Sequence, residues 1–204
     1  MKRSFALAGL ILISAACSSS RPPAAAMGEH PVAPLQASTA DEALRTLRAE
    51  RASLAGARAL LRVRVTDGEA VQTFRATVDV HGSQLALTAF TPLGTTAMTV
   101  TADGDRVHVH DVLRGSDWGG TAADLSRMIS IFPPGIPPAD MVWLLLGYPS
   151  SDAIEYTATP AGLASAAVAG LAVTFDPPAH PPQRVTVRGS RQTVDVTLSE
   201  VTAR

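Results

Sequence analysis

Cysteine occurs once, at Cys17, so an internal disulfide is excluded and burial must hold the fold together. Aromatic residues make up only 4%, which leaves the core to Leu, Val, Ile and Ala. Neither sign of charge dominates: 17 basic and 18 acidic residues leave a net charge of −1, and no basic face for nucleic acid is evident. A G-x-S-x-G nucleophile elbow, a phosphate-binding loop and a dinucleotide fingerprint are all absent. These absences remove the signatures of several enzyme classes; the expectation is a protein that is not an enzyme and needs no cofactor. There is no internal repeat. Turns are plentiful instead, with Gly and Pro at 15 each in 204 residues.

The first residues carry the strongest local pattern. Lys2 and Arg3 precede the apolar run FALAGLILI (Phe5 to Ile13), which is too short to span a bilayer comfortably. Small residues follow in SAAC (Ser14 to Cys17). The arrangement resembles a bacterial lipobox, with Ser14 standing where Leu is commonest. That resemblance implies cleavage before Cys17, diacylation of its sulfur and acylation of the new amine. Each buried CH₂ contributes about 0.8 kcal/mol, so several chains anchor firmly. The competing reading is an ordinary cleaved signal peptide with an incidental cysteine. Ser18, where Asp would favour the inner membrane in enterobacteria-like sorting, points to the outer membrane. The expected division is residues 1–16 as lipoprotein signal peptide, 17–37 as lipidated N-terminus and flexible tether, and 38–204 as folded domain.

Within that domain, STADEALRTLRAERASLAG reads as a helix, with Thr39 and Glu42 at capping-box spacing and Gly56 at its end. Alternating segments follow at 59–66, 71–80, 83–90, 95–102 and 106–112, joined by tight turns, and predict an antiparallel meander. Helical patterns interrupt at 121–132 and 137–147; the second starts on proline, ends on glycine and contains the nearly all-apolar MVWLLL. Strand patterns return at 153–160, 171–176, 183–189 and 191–201.

Candidate chemistry is sparse. His108 and His110 lie two apart on a strand and share a face, with His81 a conceivable third metal ligand. Simple alternation, with Val107 and Val109 inward and the histidines outward, is the favoured reading, and no metal is expected. ADGDR lacks the later ligands of a calcium loop and reads as a hairpin turn. The proline pairs stiffen loops and stop helices. Trp143 and its leucines suit either ordinary core or the wall of an apolar pocket. One stretch resists the bland reading: in LTAFTPLGTTAMTV an apolar Leu93 sits in a Pro92–Gly94 turn, where polar residues are usual.

Taken in order, TPLGTTAMTV, FPPGIPPADM and WLLLGYPSSDAIEYTA resemble the outer-membrane lipoprotein receptor family (LolB-like), within the wider LolA/LolB-like lipoprotein carrier fold. The residues that carry the likeness are Pro92-Leu93-Gly94, Ile136-Pro137-Pro138, Trp143, Leu146, Gly147, Pro149 and Tyr156, across roughly Ala59 to Val201. Thr91 stands where that family commonly has Asn. The resemblance implies a mainly β (α+β) fold: an incomplete, strongly curved antiparallel β-barrel with an N-terminal helix and a helical lid or plug over an apolar cavity. It implies an outer-membrane-anchored acceptor, facing the periplasm, that takes acylated client lipoproteins from a periplasmic carrier of the same fold and helps insert them in the outer membrane. Pro92, Leu93 and Gly94 become a membrane-insertion loop. Burying a leucine is worth about 1.5–3 kcal/mol, so an exposed one makes sense where a membrane will cover it.

Periodicity then selects Phe74, Val78, Leu85, Leu87, Met98, Val100, Met128, Ile131, Met141, Leu144 and Leu145 as cavity-lining candidates, subject to the register, since a one-residue slip exchanges the faces. A monomer is expected. The runner-up is a lipid-anchored envelope module of the same fold that binds another apolar ligand or assists other envelope assembly.

Overall fold

Alternation in the first half of the chain becomes strand pairing in the computed structural model, which describes residues 29–128, 132–133 and 135–204. A short β1 (His30–Pro31) precedes α1 (Ala40–Ser53). The meander runs β2 (Gly56–Asp67), β3 (Ala70–His81), β4 (Gln84–Phe90), β5 (Thr96–Asp103), β6 (Arg106–Asp111) and β7 (Ser116–Thr121). Two helices follow, α2 (Ala122–Met128) and α3 (Pro138–Leu145). The chain returns through β8 (Glu155–Thr159), β9 (Gly162–Val168), β10 (Leu171–Asp176), β11 (Arg184–Arg188) and β12 (Gln192–Ala203).

These strands make one antiparallel sheet of 12, ordered β7-β6-β5-β4-β3-β2-β12-β11-β10-β9-β8, with β1 added on β12. The sheet is not closed: β7 and β8 are its two edges, and the helical segment between them in sequence links those edges. The central joint is β2 with β12, where Val63 faces Val196 and Leu61 faces Leu198. Inward residues alternate as the pleat requires: Ala57, Ala59, Leu61 and Val63 on β2, and Ala76, Val78 and Val80 on β3, are all buried.

Helix α1 starts where Thr39 Oγ1 accepts from the Glu42 amide at 3.2 Å, and Glu42 in turn accepts from the Ser38 amide at 2.8 Å. Asp41 and Glu42 in its first turn and Arg51 in its last complement the helix dipole. It buries Ala43 and Leu47 and lies against β8 and β9. Helix α3 packs on β3, β4 and β5, and seven of its eight residues are buried. Its end is a Schellman motif: the Tyr148 amide donates to the Trp143 carbonyl and the Gly147 amide to that of Leu144, with Gly147 at φ +90°.

Several expectations need correction. Three strands were not anticipated: the two-residue β1, and β7 and β9, whose residues are mostly Gly, Ala, Ser and Thr. Of the helix expected over 121–132, Ala122–Met128 is helical, Phe132 and Pro133 are non-helical, and residues 129–131 lie outside the described residues. Part of the expected tether is held on the domain: His30 and Pro31 pair with β12, and the Leu35 amide donates to the His180 carbonyl at 3.3 Å. Cys17 and the leader lie outside the described residues. Among the described residues, no helix is long and apolar enough to cross a membrane.

Candidate functional site

Between the inner face of the sheet and α3 lies a cavity lined by apolar side chains alone. Leu61 and Val63 come from β2, Phe74 and Val78 from β3, Leu87 from β4, Met98 and Val100 from β5, and Val196 from β12. Phe132, Val142, Leu145 and Leu146 cover it. The strands from β5 to β12 span four strand spacings, about 19 Å if laid flat, so the sheet must wrap around the cavity for all of them to line it. The open volume is only about 50 Å³, against the roughly 300–1,000 Å³ of ligand pockets. The described conformation is therefore nearly filled by its own side chains.

Among the sequence-selected residues, Phe74, Val78, Leu87, Met98, Val100 and Leu145 border this cavity. Leu85, Met141 and Leu144 do not: they are buried elsewhere in the core. On α3 the reason is helical geometry. Val142, Leu145 and Leu146 form the i, i+3, i+4 stripe towards the cavity, while Met141 and Leu144 fall on another face. Leu85 shares the inward face of β4 but lies two residues along the strand from Leu87, about 7 Å further on. Ile131 and the Met128 side chain lie outside the described residues. Leu61, Val63, Phe132, Val142, Leu146 and Val196 were missed as lining, although the alternation had already put Leu61 and Val63 on one face.

The cavity approaches solvent at one end of the sheet. Phe74, Leu87 and Met98 are only partly buried, while Val80, Leu85 and Ala102, towards the opposite end, are buried. Phe132 also borders an outer trough of about 340 Å³, lined by Asp67, Leu171 and Arg191 among others, at that same end. The Leu93 turn stands there too. The Gly94 amide donates to the Thr91 carbonyl at 2.9 Å and the Thr91 amide to that of Thr95 at 2.8 Å. Pro92 thus occupies the second position of a tight turn, with φ already set for it. Gly94 takes φ +83°, which a side chain would resist. The result is a stiff tip on which Leu93 is 92% exposed.

Behind α3, polar groups join it to α1. Arg51 lies 3.8 Å over the Trp143 ring, and the Tyr148 hydroxyl donates to Glu50 Oε1 at 2.9 Å. His180 packs edge-on against Tyr148, with Nε2 4.0 Å from Glu50 Oε2. Burial pushes the His180 imidazole down to about 4, and it also raises the Tyr148 phenol and the Asp140 carboxyl.

The histidine trio lies elsewhere. His108 and His110 both face Asp117 Oδ1, at 3.4 and 2.9 Å, while His81 pairs with Asp79 at 2.8 Å. Among the described residues, no group of three or more His, Cys, Asp or Glu is placed to hold a metal. His81 and His108 also line a groove of about 570 Å³ at the opposite end of the sheet from Leu93, but it is open and partly polar, unlike the covered cavity.

Comparison with known proteins bears on the fold. A family model described as a protein of unknown function (DUF3261) matches residues 59–145, from β2 to the end of α3. No curated protein matches the chain. A LolA superfamily protein from Nitrosomonas europaea has a similar structure at TM-score 0.53 and 13% identity, with 81% of this chain and 94% of that one covered. A DUF1329 family protein from Desulfovibrio piger is similar at TM-score 0.50 and 8% identity, covering 78% of this chain and 89% of that one. At such identities the likeness is one of fold: the open, curved antiparallel sheet is shared with a LolA superfamily protein.

Proposed function

We propose that this protein is a lipid-anchored acceptor of the LolB-like type, which receives acylated lipoproteins from a periplasmic carrier of the same fold and passes them to the outer membrane. The observation that carries the reading is the pairing of a wholly apolar cavity with a stiff, fully extruded leucine at the same end of the sheet. An acyl chain needs an apolar, unhydrated container, and the lining offers it no polar group to desolvate. Helix α3 acts as the lid in this reading. The closed volume is too small for a chain, so uptake requires Val142, Leu145 and Leu146 to move away from the strands. Leu93 then meets the bilayer as the client leaves. Cys17 carries the anchor, and the protein catalyses no reaction.

Titration with a palmitoyl-chain fluorescent probe tests the container. Saturable one-to-one binding is expected. Met98→Trp, which enlarges a half-buried side chain at the cavity's outer end, should weaken it at least tenfold while the circular dichroism spectrum is unchanged. Absence of saturable binding to the unaltered protein overturns the reading.

A further inference from the structure

The apolar side chains left in water are grouped. Among the described residues the large exposed hydrophobics are Val71, Leu93, Val112 and Leu113. All stand at the end of the sheet where β2 turns into β3, β4 into β5 and β6 into β7. The opposite end, with its turns at Gly82, Gly104 and Ala161, has none among the described residues.

Leu113 is 69% exposed in the β6–β7 turn. The Val112 amide donates to the Ala97 carbonyl at 2.9 Å, and Asp111 pairs with Met98, so this turn leaves the sheet beside the strand that emerges from the Leu93 turn. Two strand spacings, about 10 Å, separate the two hairpins. Met98 lines the cavity, which places both tips at its outer end.

The chemistry favours a bilayer over a protein as the occupant. Between the two hairpin tips stand Thr95, just before β5, and Asp111, at the end of β6, so Leu93 and Leu113 are separate points and not a continuous apolar face. An ordinary protein interface takes about 800 Å² from each partner, whereas a bilayer accepts isolated side chains. Arg114 follows Leu113 directly; its side chain is 83% exposed and is steadied by Asp111 at 3.1 Å, a position suited to a lipid phosphate. The length of chain before the described residues also permits the contact. Glu29 lies at the far end of the sheet, since the next residue pairs with Ala203. The residues from Glu29 back to Cys17 reach at most about 40 Å, enough to run the length of the strands.

We propose that Val112 and Leu113 form a second insertion point beside Leu93, so that two neighbouring hairpin tips seat the mouth of the cavity on a lipid bilayer. The proposal rests on the reading of Leu93 as membrane-facing.

The test uses the full chain with Cys17→Ser, which frees it of native thiols. An environment-sensitive fluorophore is attached at Leu93→Cys, Leu113→Cys or, at the opposite end, Ala161→Cys. Protein-free vesicles of phosphatidylethanolamine and phosphatidylglycerol are then added. The dyes at positions 93 and 113 should shift to the blue and be quenched by a quencher buried among the acyl chains, while the dye at 161 stays in water. Leu113→Asp, read through the dye at position 93, should weaken vesicle partitioning about tenfold. A response at 93 without one at 113 overturns the second point and leaves the Leu93 reading intact. Silence at both positions overturns both readings. Equal responses at all three sites show adsorption without orientation and also overturn the proposal, as does a shift at 113 that appears only with a same-fold carrier, which would make the surface a protein interface.

Discussion

Leu93 is 92% exposed, a placement that contributes nothing to burial and that the proposed membrane contact would explain. Its turn is closed by backbone hydrogen bonds and by Thr91 and Thr95, whose hydroxyls meet at 2.8 Å, so the leucine contributes nothing to its own placement. Leu93→Glu should therefore leave stability within about 0.5 kcal/mol of the parent, as surface changes do. It should slow delivery of a client to membranes, and a large loss in the urea midpoint would contradict this account of the turn. His180 makes the opposite case. Its folded pKa of about 4 lies below its ordinary 6.5, so the unfolded chain binds the proton more readily. The stability it contributes is complete above about pH 6.5 and is lost as pH falls towards 4, by roughly 3 kcal/mol at the limit. His180→Phe, which keeps a ring against Tyr148, should flatten the denaturation midpoint over that window.

At the scale of elements, α3 is held from two sides. Its cavity face offers Val142, Leu145 and Leu146, and its back is fastened to α1 through Arg51 on Trp143 and Glu50 on Tyr148. Arg51→Ala should cost about 1 kcal/mol and, with α3 as the lid, should speed uptake of an acyl probe in stopped-flow mixing; unchanged uptake would separate α1 from lid motion. Leu144→Asp should destabilise the whole domain, because it puts a charge into closed core away from the cavity. How far sequence alone reached can be seen element by element. β3 and β4 were readable because branched and aromatic residues alternate with polar ones. β9, GLASAAV, was not, because small residues give little contrast between faces, and β7, an edge strand reading SDWGGT, carries almost none. The cavity was legible in part. Periodicity tells which residues point inward, but which of them border a void depends on the β2–β12 joint and on the roll of α3, so Val196 and Leu146 were missed and Leu85 and Leu144 were over-read.

Over the whole molecule, the proposed anchor at Cys17 and the proposed membrane-facing end of the cavity set a geometric requirement. The mouth and Glu29 lie at opposite ends of strands as long as the 12 residues of β3, about 40 Å along the chain and less along a tilted barrel axis. On the proposed reading, a segment of chain must bridge that distance if the cavity's outer end is to meet the membrane anchored through Cys17. Deleting residues 18–24 should leave acyl-probe binding intact and abolish delivery to the membrane bearing the anchor. Unimpaired delivery by the shortened chain would show that the mouth serves another surface.

The central claim is the hand-off, and one transfer experiment tests it most directly. A same-fold periplasmic carrier is loaded with an acylated lipoprotein and mixed with this protein carrying Cys17→Ser, and the holder of the client is identified by co-purification before and after liposomes are added. The account predicts that the client moves to this protein and then enters the liposomes, the second step slowed in Leu93→Glu. If the client stays on the carrier while acyl probes still bind, the protein is not a lipoprotein acceptor, and a lipid-anchored module for another apolar ligand becomes the better description.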